Sequence, residues 1–289
     1  MNLVNIVRTG KKQTIELRQK DGVYYFVFPG IEELGIVSHL FSTRLGGVSK
    51  NEYSTMNLSY TRGDDKEAVD ENYKRISDVL GHGHILDDFV STFQTHTTNI
   101  RVVTEEDRGK GPGRPRDYMD IDGLISNVSG IILSTFHADC PPIYFIDPVN
   151  KAIGLSHSGW KGTRGNIAKE TLIKMAENYG TNPKDCICAI GPSICGDCYE
   201  IGEDVANEFA KAFTEDELSE YGILIPYPGG KYRLFLWNAI RLSLLKCGVK
   251  DENILITDVC TKCNSDLLFS HRVHGEKRGN LAAFLCLNE

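Results

Sequence analysis

The chain has 289 residues, of which 41% are hydrophobic and 25% charged, a balance typical of a soluble protein with a substantial core. Its formal net charge of −7 excludes an overall basic footprint for nucleic acid. The first residues lack an apolar core of signal-peptide length, and no run approaches a membrane span. We therefore expect a cytoplasmic protein without nucleic-acid or membrane partners.

The chain is predicted to begin with a β-hairpin at about residues 13–29, in which two apolar runs flank a turn at Asp21-Gly22. The polar, glycine-bearing segment 38–65 is typical of a long surface loop. Helical spacing predicts a helix over 64–80, which Asp64 and Asp65 can cap and Gly81 ends.

The later elements alternate between the two types of secondary structure. In chain order we predict strands over 88–96, 99–104, 131–136, 143–146, 152–155, 186–190, 254–257, 267–270 and 280–286, helices over 163–179, 199–213 and 234–247, and a charged, solvated loop over 105–118. No internal repeat or clear linker interrupts this order. The pattern predicts a single α/β (α+β) domain over residues 1–289.

Three possible metal ligands, His96, Cys140 and His157, each follow a predicted strand, and strand ends are where open α/β sheets gather ligands. Two imidazoles and one thiolate suit Zn²⁺, and copper or nickel less exclusively. Three ligands leave a fourth tetrahedral position open, as in catalytic metal sites. The same residues also allow a metal-free hypothesis, with Cys140 as nucleophile and His157 as general base. Spacing does not separate the two hypotheses.

Two glycine-rich segments carry cations that suit an anion such as phosphate. Arg44 lies beside Gly46-Gly47, where glycine allows close approach of the backbone. Lys161 and Arg164 lie at the start of the helix predicted over 163–179, whose free amides and dipole favour negative charge. Neither segment matches a Walker or dinucleotide motif, so each indicates only a general anion site.

Nine cysteines, an odd number without a signal peptide, argue against a disulfide framework and for reduced thiols. Cys195 and Cys198 form one C-x-x-C pair, and Cys260 and Cys263 form a second. Such pairs indicate structural zinc when the segment between them is short. Here it is long, so we favour buried or incidental thiols over a four-cysteine metal site.

An ordered set of motifs runs from about Ser38 to the C-terminus. They are STRLGGVSKNEYSTMNLS, FQTH, DIDGLIS, ADCPPIYFIDP, GLSHSGWKGT, AIGPSICGDCYEIG and FSHR. This set resembles the YfiH or laccase-domain family, whose members have been called multicopper polyphenol oxidases and purine nucleoside phosphorylases. The resemblance implies central mixed β-sheets flanked by helices, in a fold similar to that of deamidating-toxin cysteine hydrolases. It places the family's metal triad on His96, Cys140 and His157 and implies zinc there, with copper as the alternative.

The resemblance implies a zinc-dependent purine nucleoside phosphorylase that acts on adenosine, inosine, guanosine and methylthioadenosine with phosphate, and that also deaminates adenosine. The predicted substrate-binding residues are Arg44, Gln94, Asp122, Lys161 and Arg164. His137 and His271 depart from the common family pattern and leave the substrate preference open.

Two other activities remain open for the same residues. The first is a Cys140–His157 hydrolase, such as an amidase that edits peptidoglycan precursors. The second is a copper-dependent polyphenol oxidase, for which three ligands fall short of the several copper centres that the reaction needs. A metal-dependent interaction module without enzymatic activity is the least favoured interpretation.

Overall fold

The computed structural model describes residues 5–10 and 12–288. The strands are β1 (Glu16–Lys20), β2 (Val23–Val27), β3 (Val37–Ser42), β4 (Phe89–Ser91), β5 (Ile100–Val102), β6 (Gly123–Ser126), β7 (Ile132–His137), β8 (Pro142–Asp147), β9 (Ala152–His157), β10 (Ile187–Ile190), β11 (Glu200–Ile201), β12 (Leu224–Tyr227), β13 (Lys231–Leu234), β14 (Ile254–Ile256) and β15 (Leu281–Leu287). The helices are α1 (Pro29–Glu32), α2 (Lys66–Leu80), α3 (Trp160–Arg164), α4 (Ile167–Tyr179), α5 (Glu203–Ala212), α6 (Glu215–Glu220), α7 (Leu236–Lys246) and α8 (His271–His274).

The strands form two large mixed sheets and one small antiparallel sheet. The first large sheet has the order β1-β2-β3-β15-β7-β4, and the second has the order β14-β10-β8-β9-β6-β5. A third sheet, β11-β13-β12, lies beside helices α5, α6 and α7. The predicted α/β (α+β) class, with central mixed sheets and flanking helices, is therefore confirmed.

The two large sheets pack face to face through an apolar core. Phe41 and Leu133 of the first sheet and Tyr144 and Leu155 of the second belong to this shared core. Helix α2 covers the outer face of the first sheet, and helices α4 and α7 cover the outer face of the second. Strands β8 and β9 are buried along their whole length because both of their faces are covered, which explains their continuous apolar sequences.

The predicted hairpin and first helix are confirmed. Lys20 pairs with Val23, so Asp21 and Gly22 form a two-residue turn. Both have positive φ, 50° and 84°, as a type I′ turn requires. Helix α2 begins after Asp65, whose side chain accepts a hydrogen bond from the Glu67 amide.

The strand predicted over 88–96 is wrong in its second half. Strand β4 ends at Ser91, and the Gln94 side chain then takes the place of the backbone in the pairing with β7. Gln94 Nε2 donates to Phe136 O at 2.8 Å, and Gln94 Oε1 accepts from Phe136 N at 2.7 Å. The backbone can therefore turn away from the sheet, and His96 lies in that turn with φ of 67° rather than at a strand end.

The helix predicted over 163–179 is two helices, α3 and α4. Asn166 separates them because its backbone is left-handed, with φ of 62°, and its side chain caps α4. The helix over 199–213 begins only at Glu203, and the strand over 267–270 does not form. The segment 38–65 is not a surface loop throughout, since it contains strand β3 and the buried residues Met56, Asn57 and Leu58.

The charged segment 105–118 is anchored rather than freely solvated. The buried carboxylate of Asp107 accepts hydrogen bonds from Arg101 at 2.6 Å and from Lys110 at 2.8 Å. Lys110 also binds Asp117 at 2.9 Å. The Arg101–Asp107 pair ties the segment to strand β5, so part of this predicted solvated loop is buried.

The two C-x-x-C pairs are neighbours in space despite the long segment between them, the feature for which the sequence favoured buried or incidental thiols. Strands β10 and β14 pair in parallel, and an isolated parallel bridge between Ser193 and Cys260 extends this pairing. The sulfur atoms of the four cysteines in the two C-x-x-C pairs lie within 4.8 Å of one another.

Among the described residues, the structure has no helix with the length and apolar character needed to cross a bilayer.

Candidate metal centre

Four neighbouring strands bring the candidate ligands to one edge of the second sheet. Strand β9 is antiparallel to both β8 and β6, and β6 is parallel to β5. The end of β9 therefore lies beside the starts of β8, β6 and β5. His157 is the last residue of β9 and pairs with Pro142, the first residue of β8. Cys140 directly precedes β8, Asp122 precedes β6, and the turn with His96 precedes β5.

His96, Cys140 and His157 converge at this edge. One ligand atom from each lies within 4.8 Å of the others. The two imidazole rings are 5.0 Å apart between centroids and nearly perpendicular. His157 is buried, Cys140 is partly buried, and His96 is exposed, so the cluster is open on the His96 side.

One buried carboxylate, that of Asp122, positions two of the three ligands. Its Oδ1 lies 2.8 Å from His157 Nδ1 and accepts from the His96 amide at 3.2 Å. Its Oδ2 accepts from the Thr95 and Thr97 amides at 3.1 and 2.9 Å. These bonds hold the left-handed turn of His96, and they leave the His157 Nε2 free to face a metal.

The loop that carries Cys140 is held on both sides. Asp139, whose φ of 92° bends the loop sharply, accepts from Thr261 Oγ1 at 2.6 Å and from the Arg272 amide at 2.7 Å. His137 Nδ1 lies 2.9 Å from the Cys140 carbonyl oxygen. The backbone that carries Cys140 is therefore held by Thr261 and Arg272 through Asp139 and by the neighbouring His137.

The charges of the cluster favour a thiolate next to an imidazolium when no metal is bound. Burial alone would raise the pKa of Cys140, but the neighbouring His157 and His96 outweigh it and lower that pKa to about 6. Burial would lower the pKa of His157, but the charges of Cys140 and Asp122 outweigh it and raise that pKa to about 9. The thiolate is the form of cysteine that binds metals and attacks electrophiles.

His137 lies next to the cluster but does not join it. Its ring centroid is 5.5 Å from that of His157, and its Nε2 lies 2.7 Å from Thr135 Oγ1. Burial and the nearby His157 charge lower the pKa of His137 well below its usual value, so this ring is neutral. Both of its nitrogens are in hydrogen-bonding contacts, which gives it a packing role.

Gly159 leaves the space that the cluster needs. A Cβ atom at this position would lie 2.9 Å from His96 Cδ2 and 3.0 Å from Cys140 Sγ. Its backbone is ordinary extended chain, with φ of −62°, so the requirement for glycine comes from space alone.

We expect Gly159→Ala to lower metal affinity at the cluster at least about tenfold, because the methyl group must push two ligands apart. Gly162→Ala in the same short helix is the matched control, since a Cβ there meets no atom closer than 3.4 Å. Chelator competition on both variants is the measurement. Equal affinities would show that the cluster tolerates the displacement.

A cavity of about 700 Å³ opens onto the cluster, a volume suited to a small-molecule ligand. Of the predicted site residues, Gln94, His96, Cys140 and His157 line it. Both polar atoms of the Gln94 side chain form hydrogen bonds with the Phe136 backbone, so Gln94 mainly forms part of the cavity wall instead of offering a hydrogen bond to a ligand.

The other predicted substrate-binding residues do not line this cavity. Arg44 donates to Ser265 O at 3.1 Å and stacks on the Phe269 ring, so it joins two loops. Arg164 forms an ion pair with Glu208 of helix α5, and Lys161 lies over the ring of Trp160. Asp122 lies behind His157 and contacts the ligands rather than the open space. Arg44, Lys161 and Arg164 therefore do not meet the other predicted site residues at the wall of this cavity.

The cavity has its own cations, which the sequence did not single out as a group. They are Arg62, Arg116, Arg272 and Arg278. Arg272 belongs to the FSHR motif, which gave one signal. The others lie far apart along the chain, and only the fold brings them together.

The donor set fits a metal ion. Two imidazoles and a thiolate are borderline-soft ligands that suit zinc or copper. The carboxylate of Asp122 behind His157 is the outer contact that metal-binding histidines commonly have. The absence of a Cβ at Gly159 keeps the ligand atoms close together.

Comparisons with known proteins agree with this geometry. A family model described as multi-copper polyphenol oxidoreductase laccase matches residues 38–288. The chain belongs to this family. A purine nucleoside phosphorylase from Deinococcus radiodurans is 40% identical over 252 residues, which cover 87% of this chain and 89% of the relative. The adenosine deaminase RL5 from an unknown prokaryotic organism is 34% identical over 242 residues, or 83% of this chain and 90% of the relative.

The fold of this laccase-family chain matches that of a solved relative. The crystal structure of YlmD from Geobacillus stearothermophilus aligns with a TM-score of 0.86 and 30% identity, covering 94% of this chain and 99% of that chain. In residues 5–10 and 12–288, two groups of at least three potential ligands converge closely enough to bind one metal each. One is the His96–Cys140–His157 cluster, and the other consists of cysteines alone.

Proposed function

We propose that this protein is a zinc-dependent purine nucleoside phosphorylase that also deaminates adenosine. The observation that carries the proposal is the convergence of His96, Cys140 and His157 in a cavity that also contains guanidinium groups. Adenosine, inosine, guanosine and methylthioadenosine are the proposed nucleosides, with phosphate as the second substrate. The relatives named purine nucleoside phosphorylase and adenosine deaminase support this pair of activities.

The chain's own residues would hold and orient the metal. His157 donates its Nδ1–H to Asp122 and offers Nε2, while the Cys140 thiolate contributes the negative charge. Bound there, zinc would supply a Lewis acid with one open position and would make a coordinated water acidic near neutral pH. Asp122 would keep the His96 turn and the His157 ring in place throughout.

Arg62 and Arg278 are our proposed phosphate contacts, in place of the three cations predicted from the sequence. Arg278 is buried, and its Nε has no hydrogen-bond partner within the described part of the chain. Burial and the charge of Arg62 lower the pKa of Arg278 to about 10. An anion between the two guanidinium groups would accept a hydrogen bond from Arg278 Nε and would offset the repulsion between the two positive charges.

The purine would pack against the aromatic wall of the cavity, which includes Phe136, Trp160 and Tyr199. In phosphorolysis a phosphate oxygen forms a bond to the anomeric carbon of the ribose as the bond to the purine nitrogen breaks. The proton carried by the attacking hydrogen phosphate passes to the departing purine nitrogen, so the products are the free base and ribose 1-phosphate. The arginine pair would neutralise the attacking phosphate.

The direct test incubates zinc-loaded protein with adenosine and phosphate and follows adenine, ribose 1-phosphate and inosine by chromatography. We expect the first two from phosphorolysis and the third from deamination. Omission of phosphate should stop the formation of adenine but not of inosine. Absence of all three products at full metal occupancy of the cluster would refute the proposal.

Metal affinity at the cluster is expected to rise with pH between about 6 and 9. In that window the metal-free cluster holds a thiolate and a protonated His157, and binding must expel one proton from the ring. Affinity should therefore increase about tenfold per pH unit in this window and level off above about 9. Below about 6 the Cys140 thiol is protonated as well, so binding must expel a proton from Cys140 in addition to the one from His157, and the slope steepens.

Chelator competition across that pH range measures the slope. The Cys140→Ser variant, measured in parallel, reports any zinc bound elsewhere on the chain. A pH-independent difference between the two proteins would contradict the charge assignment.

One observation favours a second candidate, a cysteine hydrolase. Cys140, His157 and Asp122 have the charges and the contacts of a nucleophile, its base and an orienting carboxylate. An amidase of this type would retain activity after metal removal and lose it after alkylation of Cys140. Activity of the proposed phosphorylase would be lost on metal removal and restored by zinc. A copper-dependent phenol oxidase ranks third, and oxygen uptake with a phenol by copper-loaded protein would favour it.

A further inference from the structure

The second group of potential ligands is made of four cysteines far from each other in sequence. Cys195, Cys198, Cys260 and Cys263 place their sulfur atoms within 4.8 Å of one another. All four are free thiols, and the Cys198 and Cys263 sulfurs are 3.5 Å apart. A disulfide would need about 2.05 Å. Four thiolates around zinc at about 2.3 Å would lie about 3.8 Å apart, which matches the observed spacing better.

The fold builds this cluster from two adjacent turns. Strands β10 and β14 run in parallel, and the Thr261 amide donates to Ser193 O at 3.0 Å just beyond their ends. Each strand is followed by one C-x-x-C turn at the same edge of the sheet. The Cys195 amide donates to Cys260 Sγ at 3.3 Å, a contact that favours a thiolate at Cys260.

We propose that Cys195, Cys198, Cys260 and Cys263 bind a structural zinc ion, in addition to the metal at His96, Cys140 and His157. Four thiolates complete a tetrahedral shell and leave no open position, as in structural rather than catalytic zinc sites.

The other cysteines do not compete for this role. Cys186 and Cys188 are buried in the core between the second sheet and helices α4 and α7, and Cys247 packs at its border. Cys286 lies in the core beneath helix α2.

A zinc ion at the four-cysteine site would stabilise the part of the cavity wall that carries Cys140. Ile194, beside Cys195, donates its amide to Asp139 O at 2.9 Å, and Thr261, beside Cys260, donates its hydroxyl to Asp139 Oδ1 at 2.6 Å. Asp139 directly precedes the ligand Cys140. The four-cysteine site would thus join two segments that hold the Cys140 loop, although no cysteine of this site lines the cavity.

The test is the zinc content of four purified proteins by elemental analysis. The matched set is the native chain, the Cys198→Ser, Cys263→Ser double variant, Cys140→Ser, and Cys247→Ser as a cysteine outside both clusters. We expect the double variant to lose one zinc per chain relative to the native protein, and Cys247→Ser to lose none. The melting temperature of the double variant should fall, while its His96–Cys140–His157 site should keep its metal. An unchanged zinc content in the double variant would overturn the proposal.

If the double variant does not fold, cobalt absorption spectroscopy and native mass spectrometry on other variants test for the same ion. Cobalt-loaded Cys140→Ser should retain the strong thiolate-to-cobalt absorption of a four-cysteine site. In native mass spectrometry, both the native chain and Cys140→Ser should carry a zinc ion at the four-cysteine site. A Cys140→Ser protein without zinc or cobalt absorption, or a native chain with a disulfide between the two C-x-x-C turns, would overturn it. The outcome does not depend on the phosphorylase activity, so the two proposals can fail separately.

Discussion

Cys140→Ser is expected to lose the metal from its cluster and to form ribose 1-phosphate at least about a thousandfold more slowly than the native chain. Serine keeps nearly the same size, but its hydroxyl stays protonated near neutral pH and cannot replace the thiolate. Cys140 is also the only negative ligand of the three, so its loss removes the charge that opposes the cation.

Metal content and product formation measured on the same preparation test this expectation, with Cys247→Ser as the control. Cys247 is a partly buried thiol outside both clusters, and its replacement should leave both quantities unchanged. A serine variant that is inactive but fully metal-loaded would instead favour a nucleophilic role for Cys140. A variant that keeps both metal and activity would remove Cys140 from the site.

Asp122→Asn is expected to lower metal affinity by about 10- to 100-fold. The carboxylate accepts hydrogen bonds from three backbone amides of the His96 turn and contacts His157 Nδ1. An asparagine offers one oxygen and directs its NH₂ group at donors, so at least one of these bonds becomes a repulsion. The His96 turn loosens, and the His157 ring loses the contact that fixes its tautomer.

Asp120→Asn is the matched control, because Asp120 is an exposed neighbour whose side chain, among residues 5–10 and 12–288, accepts a hydrogen bond only from Thr95 Oγ1, at 2.7 Å. Zinc affinity by chelator competition, followed by kcat at saturating zinc, separates positioning from direct chemistry. Recovery of most of the native kcat at high zinc is the expected result for a positioning residue. An equal loss of affinity in both variants would contradict the role of Asp122.

The convergence of the three candidate ligands could be expected from the sequence because strand ends and motifs both mark them. Cys140 and His157 flank adjacent antiparallel strands, so their meeting follows from strand polarity once the pairing is known. His96 was identified for the wrong structural reason, since it lies in a turn beyond β4. The Gln94 side chain that ends this strand acts through pairing with β7, which no local pattern shows.

The arginines that we propose as phosphate contacts are not predictable from local sequence. Glycines next to cations suggested Arg44 and Arg164, but each is held by a partner distant in the chain, Ser265 and Glu208 respectively. Of the four cavity arginines, Arg272 alone lies in one of the motifs found in the sequence, and Arg62, Arg116 and Arg278 lie outside them. Arg278 becomes notable only through its burial and through its Nε, which has no hydrogen-bond partner in the part of the chain that the structure describes.

The four-cysteine cluster illustrates the same limit. The long segment between the two C-x-x-C pairs argues, on sequence alone, against one shared metal site. Parallel pairing of β10 with β14 folds that segment back and brings both turns to one edge. Distance in sequence was therefore a poor guide to distance in space at this position.

The most direct test of the central claim is to restore zinc to metal-free protein while measuring ribose 1-phosphate formed from inosine and phosphate. We expect no product without metal and a rate that rises in proportion to occupancy of His96, Cys140 and His157, levelling off when that cluster is full. The Cys140→Ser variant should remain inactive at every zinc concentration. An equal rate without metal, or no product at full occupancy, would contradict the account.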